Sequence, residues 1–135
     1  MKKIKKSLVT ITGVSGYVGS QTCLSFLKNG QFAIRGTMRS TKNVKYIEVL
    51  KRSLGDHFSE LELVEADLNN DQSIRDAVKG SKYVVHTAST SMQDQDAKLE
   101  KEMIKTEMDG TLSVMKAAHE YKVKRVVYTS CTESI

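Results

Sequence analysis

The stretch Leu8–Ser20, LVTITGVSGYVGS, constrains this chain more than any other. Leu8, Val9 and Ile11 form a short apolar run suited to a strand covered on both faces, and Gly13, Gly16 and Gly19 follow at three-residue spacing. In such a pattern the first glycine permits a tight turn. The second lets backbone amides approach a ligand with no side chain between, and the third lets the next helix lie close on the sheet. A helix beginning near Tyr17 turns the positive end of its dipole toward that loop, so the pattern predicts a phosphate site. Its expected contacts are Gly13, Ser15, Gly16, Tyr17, Val18 and Gly19.

The rest of the chain supplies the context that a glycine triplet needs. Val18, Cys23, Leu24, Phe26 and Leu27 make an apolar helix face that stops near Asn29-Gly30, and Phe32 to Met38 reads as a second strand. Val44, Ile47, Leu50 and Leu54 recur at helical spacing before Gly55, and Leu61 to Ala66 reads as a third strand. Asn70 or Asp71 caps a short helix carrying Ile74, Ala77 and Val78 and ending at Gly80. Tyr83 to His86 is a fourth strand, with His86 expected in the core. A longer helix carries Ile104, Met108, Thr111, Met115 and Ala118, and Val126 to Tyr128 is a fifth strand. Strands alternating with helices predict an α/β fold: a Rossmann-type, doubly wound parallel sheet of about five strands in the order 3-2-1-4-5. Its switch point lies between strands 1 and 4, which places a dinucleotide beside Gly13 to Gly19 and the residues after His86.

Composition narrows the classes. The 135 residues suit a single domain spanning 1–135, and no apolar run is long enough to span a membrane. The basic start MKKIKK runs directly into the first strand, unlike a secretory signal, and Cys23 and Cys131 are too far apart in sequence for a metal-ligand spacing or a disulfide framework. A cytoplasmic protein with no metal site is expected. The net charge of +5 is uneven: residues 1 to 47 hold nine Lys or Arg and no Asp or Glu. The positive charge therefore surrounds the phosphate loop, and no nucleic-acid partner is inferred.

The end of the second strand selects the dinucleotide. An acidic residue there takes the ribose hydroxyls of NAD, whereas a basic one accommodates the 2′-phosphate of NADP. Arg39 holds this position, with Lys42 or Lys45 available as a second charge, so NADP(H) is expected over NAD(H). The alternative for Arg39 is a solvent-facing loop arginine. The missing acid argues against a methyltransferase, and the missing Gly-Lys-Ser/Thr excludes a P-loop NTPase.

TGVSGYVG (Thr12 to Gly19), TMRS around Arg39, EADL (Glu65 to Leu68), YVVHTAS (Tyr83 to Ser89), DGTLSVMKAA (Asp109 to Ala118) and KRVVYTSC (Lys124 to Cys131) resemble, in sequence and order, the extended short-chain dehydrogenases/reductases. This is the NAD-dependent epimerase/dehydratase family, and the similarity is to its dihydroflavonol 4-reductase and cinnamoyl-CoA reductase branch. The resemblance implies that Asp67 and Leu68 border the adenine, that Arg39 holds the 2′-phosphate, and that Thr87, Ala88 and Ser89 line the cofactor path. The alternative for Asp67 is a turn cap. The resemblance also implies an NADPH-dependent oxidoreductase in which a Tyr donates the proton, a Lys four residues later lowers its pKa, and a Ser or Thr holds the substrate oxygen. None of Tyr17, Tyr46, Tyr83, Tyr121 and Tyr128 is followed by Lys at the fourth position. The serine's place falls at Cys131, flanked by Ser130 and Thr132, and the relatives' second 2′-phosphate lysine falls nearest Tyr46, beside Lys45.

Two readings follow. In one, the chain is the cofactor-binding, N-terminal portion of a carbonyl reductase, inactive alone, that meets a small carbonyl substrate only in a longer form. In the other, it is a non-catalytic NADP(H)-binding sensor or accessory subunit. Either way, an unpaired fifth-strand edge and an apolar stripe through Met108, Met115 and Leu112 predict self-association.

Overall fold

The computed structural model describes residues 4–90 and 97–131. Five parallel strands, β1 (Leu8–Thr12), β2 (Ala33–Met38), β3 (Leu61–Glu65), β4 (Tyr83–His86) and β5 (Arg125–Tyr128), lie in the order β3-β2-β1-β4-β5. The crossovers are α1 (Tyr17–Asn29), α2 (Val44–Leu54) with a 3₁₀ turn over Gly55–Glu60, α3 (Asp71–Val78) and α4 (Ala97–Glu120). This is the doubly wound sheet that the alternating pattern predicts.

Side chains alternate across the sheet, and each face builds its own core. Val9, Ile11, Ile34 and Val85 pack with Cys23 and Leu27 of α1 and Leu50 and Leu54 of α2. On the other face Val84 and Ala66 pack with Ile74, Ala77 and Val78 of α3 and Val114 and Ala117 of α4. Burying each Val, Leu or Ile side chain of these cores stabilises the fold by about 1.5–3 kcal/mol, and β1, at the centre of the sheet, is buried from Val9 to Thr12. Thr10 and Thr12 are buried within β1 and satisfied: the Thr10 hydroxyl reaches Ser81 Oγ at 2.6 Å, and that of Thr12 reaches His86 Nδ1 at 2.7 Å. Burial in this apolar setting pushes the Cys23 thiol up to about 12, so it acts as a small core hydrophobe.

Local signals set the helix ends. Gly30, with φ 72°, closes α1 through its N–H to Phe26 O, and Asn43 and Asn70 cap α2 and α3 by accepting from the amides of Tyr46 and Ser73. Five side chains, Val18, Val44, Ile104, Met108 and Met115, depart from the apolar faces expected of them. Val18 and Val44 are exposed, because each sits in the first turn of its helix, ahead of the residues that meet the sheet. In α4 the packed side is Gly110, Val114, Ala117 and Ala118, while Ile104, Met108, Leu112 and Met115 stay exposed. Small residues let α4 approach closely: a Cβ on Gly110 would stand 2.7 Å from Leu68 Cβ. Val127 and Tyr128 of β5 are exposed as well.

Candidate functional site

A cavity of about 850 Å³ opens where the sheet order reverses, at the carboxyl ends of β1, β2, β3 and β4. That volume lies in the range of small-molecule and cofactor sites. The glycine loop forms its floor. Gly13 has φ 74°, and a Cβ there would lie 2.7 Å from Ala88 Cα, so the turn and the neighbouring loop both require glycine. A Cβ on Gly19 would stand 2.0 Å from Gly13 O, which fixes how closely α1 starts behind the turn. Gly16 is different. A Cβ there meets only Gly13 O, at 3.5 Å, so the protein itself does not need that space.

The first turn of α1 has neither a side-chain cap nor an acidic residue. Its leading amides are left to whatever enters the cavity, at the positive end of the helix dipole. The loop is braced from β2 by Val14 N–H to Thr37 O at 3.0 Å and Gly13 N–H to Thr37 Oγ1 at 3.2 Å.

The structure brings Gly13, Ser15, Gly16, Tyr17, Val18, Gly19, Arg39, Asp67, Leu68, Thr87, Ala88 and Ser89 together around this one cavity. Asp67 lines the wall, and its Oδ1 accepts from Asn69 N at 2.9 Å, the turn cap given as its alternative role. Lys45 is absent from the wall. Asn43 and Tyr46 stand there instead, because α2 starts at Val44 and its rotation turns the residue after Lys45 toward the cavity. Ser130 and Cys131 are exposed beyond β5 and also off the wall, and Thr132 lies outside the described residues.

Sequence reasoning missed Thr37, Ser40, Asn43, Tyr46, Asn69, Thr90 and Thr106 on the wall. Thr37 and Ser40 lie in the TMRS motif and Tyr46 at the place of the relatives' second 2′-phosphate lysine, yet none was assigned to the wall, and Asn43 carried a signal as a residue suited to capping ahead of a helix. Glu65 was missed too. The first 47 residues contain no acid, yet the fold brings Glu65 to the β2–α2 loop, where its Oε1 accepts from Thr41 N at 2.9 Å and Thr41 Oγ1 at 2.8 Å. Those two hydrogen bonds, with the charge of Lys42 beside them, hold its carboxyl below the usual range. Its task is to order the loop behind Arg39.

The far wall is the turn after β4. His86 is buried, and burial lowers its pKa against the opposing pull of Glu107. Glu107 in turn accepts from the backbone amide and hydroxyl of Thr90. No helix among the described residues is long and apolar enough to cross a membrane.

Comparison with known proteins agrees with this geometry. Residues 9–135 match the family described as the NAD dependent epimerase/dehydratase family. The chain is 37% identical over 131 residues to dihydroflavonol 4-reductase of Hordeum vulgare, covering 96% of this chain and 36% of that one. It is 35% identical to cinnamoyl-CoA reductase 1 of Petunia hybrida, over 96% of this chain and 37% of the other. The crystal structure of vestitone reductase from alfalfa superposes with a TM-score of 0.71 at 30% identity, covering 96% of this chain and 38% of that one. The chain thus spans little more than a third of the length of the curated relatives it matches.

Proposed function

Because the chain belongs to the NAD dependent epimerase/dehydratase family, we propose that it is the dinucleotide-holding domain of an NADPH-dependent carbonyl reductase of the dihydroflavonol 4-reductase kind. The observation that carries this reading is the cavity itself, which runs from the uncapped start of α1 to Arg39 on one side and to Thr87–Ser89 on the other. The pyrophosphate lies across the amides of the α1 first turn in the space beside Gly16, and Asp67 and Leu68 border the adenine. Arg39 takes the 2′-phosphate through paired, charge-assisted hydrogen bonds. Thr87, Ala88 and Ser89 guide the nicotinamide end. When bound, the cofactor supplies the hydride.

These 135 residues do not reduce a substrate by themselves, since they contain no Tyr-x-x-x-Lys. The substrate, a small carbonyl compound, is met by the longer protein. The exposed apolar side chains of α4 and β5, Met108, Leu112, Met115 and Val127 among them, join copies of the isolated chain, and sedimentation at micromolar concentration detects that association. The reading carries a cytoplasmic setting, which fractionation of a tagged chain checks.

Calorimetric titration with NADPH and NADH, on the wild-type chain and on Arg39→Ala, tests the assignment. NADPH binds more tightly, and its advantage shrinks by about 1–3 kcal/mol in the variant, the scale of a hydrogen bond to a charged group. Equal wild-type affinities overturn the cofactor preference. Oxidation of NADPH by the isolated chain with an aldehyde or ketone contradicts its inactivity.

A further inference from the structure

Four hydrogen-bonding groups meet at the buried end of β1. Thr12 Oγ1 lies 3.1 Å from the backbone N of Thr87, 3.1 Å from the backbone N of Ala88 and 2.7 Å from His86 Nδ1. A hydroxyl has one proton and two lone pairs, and a backbone N–H can only donate. The two amides therefore fill both lone pairs of Thr12 Oγ1, and its single proton points at His86 Nδ1. Nδ1 must be bare. The imidazole is neutral, with its proton on Nε2, where Thr111 Oγ1 stands at 3.4 Å as acceptor.

This chain of donors fixes the cavity wall. Thr87 and Ala88 line the cavity, and the Thr87 hydroxyl donates to Thr12 O, so the turn is tied to β1 at three points. Ala88 Cα also occupies the place a Cβ on Gly13 would need, which couples the turn to the glycine loop. A second proton on His86 would set an N–H against an oxygen whose lone pairs are both taken. One amide would then have to let go, or the ring would have to swing out of a site where it is 2% exposed and stacked on Tyr128, with centroids 5.7 Å apart.

We propose that His86 is a positioning residue for the dinucleotide: as a neutral acceptor it orients the Thr12 hydroxyl that holds Thr87 and Ala88 against the cavity, and its protonation loosens that wall and weakens binding. The binding half of this statement rests on the dinucleotide reading above; the tautomer does not. Among the described residues, the groups presented to the imidazole are the Glu107 carboxylate and Thr111 hydroxyl from α4, the Tyr128 ring from β5 and the Thr12 hydroxyl from β1. Glu107 is the one carboxylate among them. It favours the charged imidazole but is outweighed by burial, so the folded chain binds this proton less readily than the unfolded chain does. Stability is then full above the ordinary histidine value of about 6.5 and falls as pH drops below it.

The test joins an imidazole spectrum to a titration. Long-range proton–nitrogen correlation on the unliganded wild type near neutral pH shows Nδ1 bare and Nε2 protonated; a protonated Nδ1 overturns the clamp without any ligand present. NADP⁺ affinity is then measured between about pH 7.5 and about pH 5 for wild type, His86→Asn, Thr12→Ser and Thr12→Val. The 2′-phosphate titrates in the same range, so the comparison among variants carries the result. Wild type and Thr12→Ser lose about tenfold more affinity on acidification than His86→Asn, whose amide oxygen accepts without titrating. Thr12→Val binds weakly throughout. The same acid loss in His86→Asn as in wild type contradicts the proposal. Absence of NADP⁺ binding by wild type at every pH overturns the dinucleotide reading, and the release of the Thr87 and Ala88 amides on acidification then tests the clamp alone.

Discussion

The first turns of α1 and α3 face the same end of the sheet and are finished in opposite ways. At α3, Asn70 accepts from Ser73 N at 3.1 Å, Asp71 places a carboxylate in the first turn, and the Ser73 hydroxyl bonds back to Asn70 O. At α1 the cap is Gly16, with no side chain to accept and no acid nearby. The protein has the means to finish a helix start and uses them at α2 and α3, but not at α1. Leaving several amides without partners costs stability unless something else accepts from them. The capped start of α2 also borders the 850 Å³ cavity, through Asn43 and Tyr46, but the start left open is the one over a glycine whose missing side chain nothing in the protein requires. The open start is the one at which we propose that a phosphate accepts from the free amides.

The comparison breaks most severely at Gly19. Gly19→Ala drives a Cβ into Gly13 O, so the variant loses about 3 kcal/mol or more in urea unfolding and loses dinucleotide binding with it. A variant of wild-type stability would show that the close start of α1 is not what holds the loop. Asn70→Ala removes a cap from the finished helix. It costs about 1 kcal/mol of stability and leaves NADP⁺ affinity unchanged, and a matched loss of affinity would deny that the two helix starts have separate duties.

Much of this contrast is legible in the amino-acid order. The apolar run into Gly13, Gly16 and Gly19 names the open helix start, and Asn70 names a closed one, because both signals are local and depend on backbone chemistry. Rotation about a helix axis is less legible. Adjacent helical residues point about 100° apart, so placing the start of α2 at Val44 settles whether Lys45 or Tyr46 reaches the wall, and charge alone favoured the lysine. In α4 the larger hydrophobes dominate the pattern, yet Gly110, Ala117 and Ala118 make the contact because close approach rewards small side chains. Glu65 could be assigned to the loop before Asn43 only once β2 and β3 were paired in register, Met38 opposite Glu65. The Thr12–His86 clamp joins residues 74 apart in sequence, which no local pattern records.

Gly16→Ala tests the central claim most directly, with urea unfolding and NADP⁺ calorimetry run on the same preparation. Gly16 has φ −85° and room for a methyl group as far as the protein is concerned, so stability stays within about 1 kcal/mol of wild type. NADP⁺ affinity falls more than about tenfold, equivalent to about 1.4 kcal/mol, because the methyl stands in the space that we propose the pyrophosphate takes. Unchanged affinity in a folded Gly16→Ala chain would contradict the account.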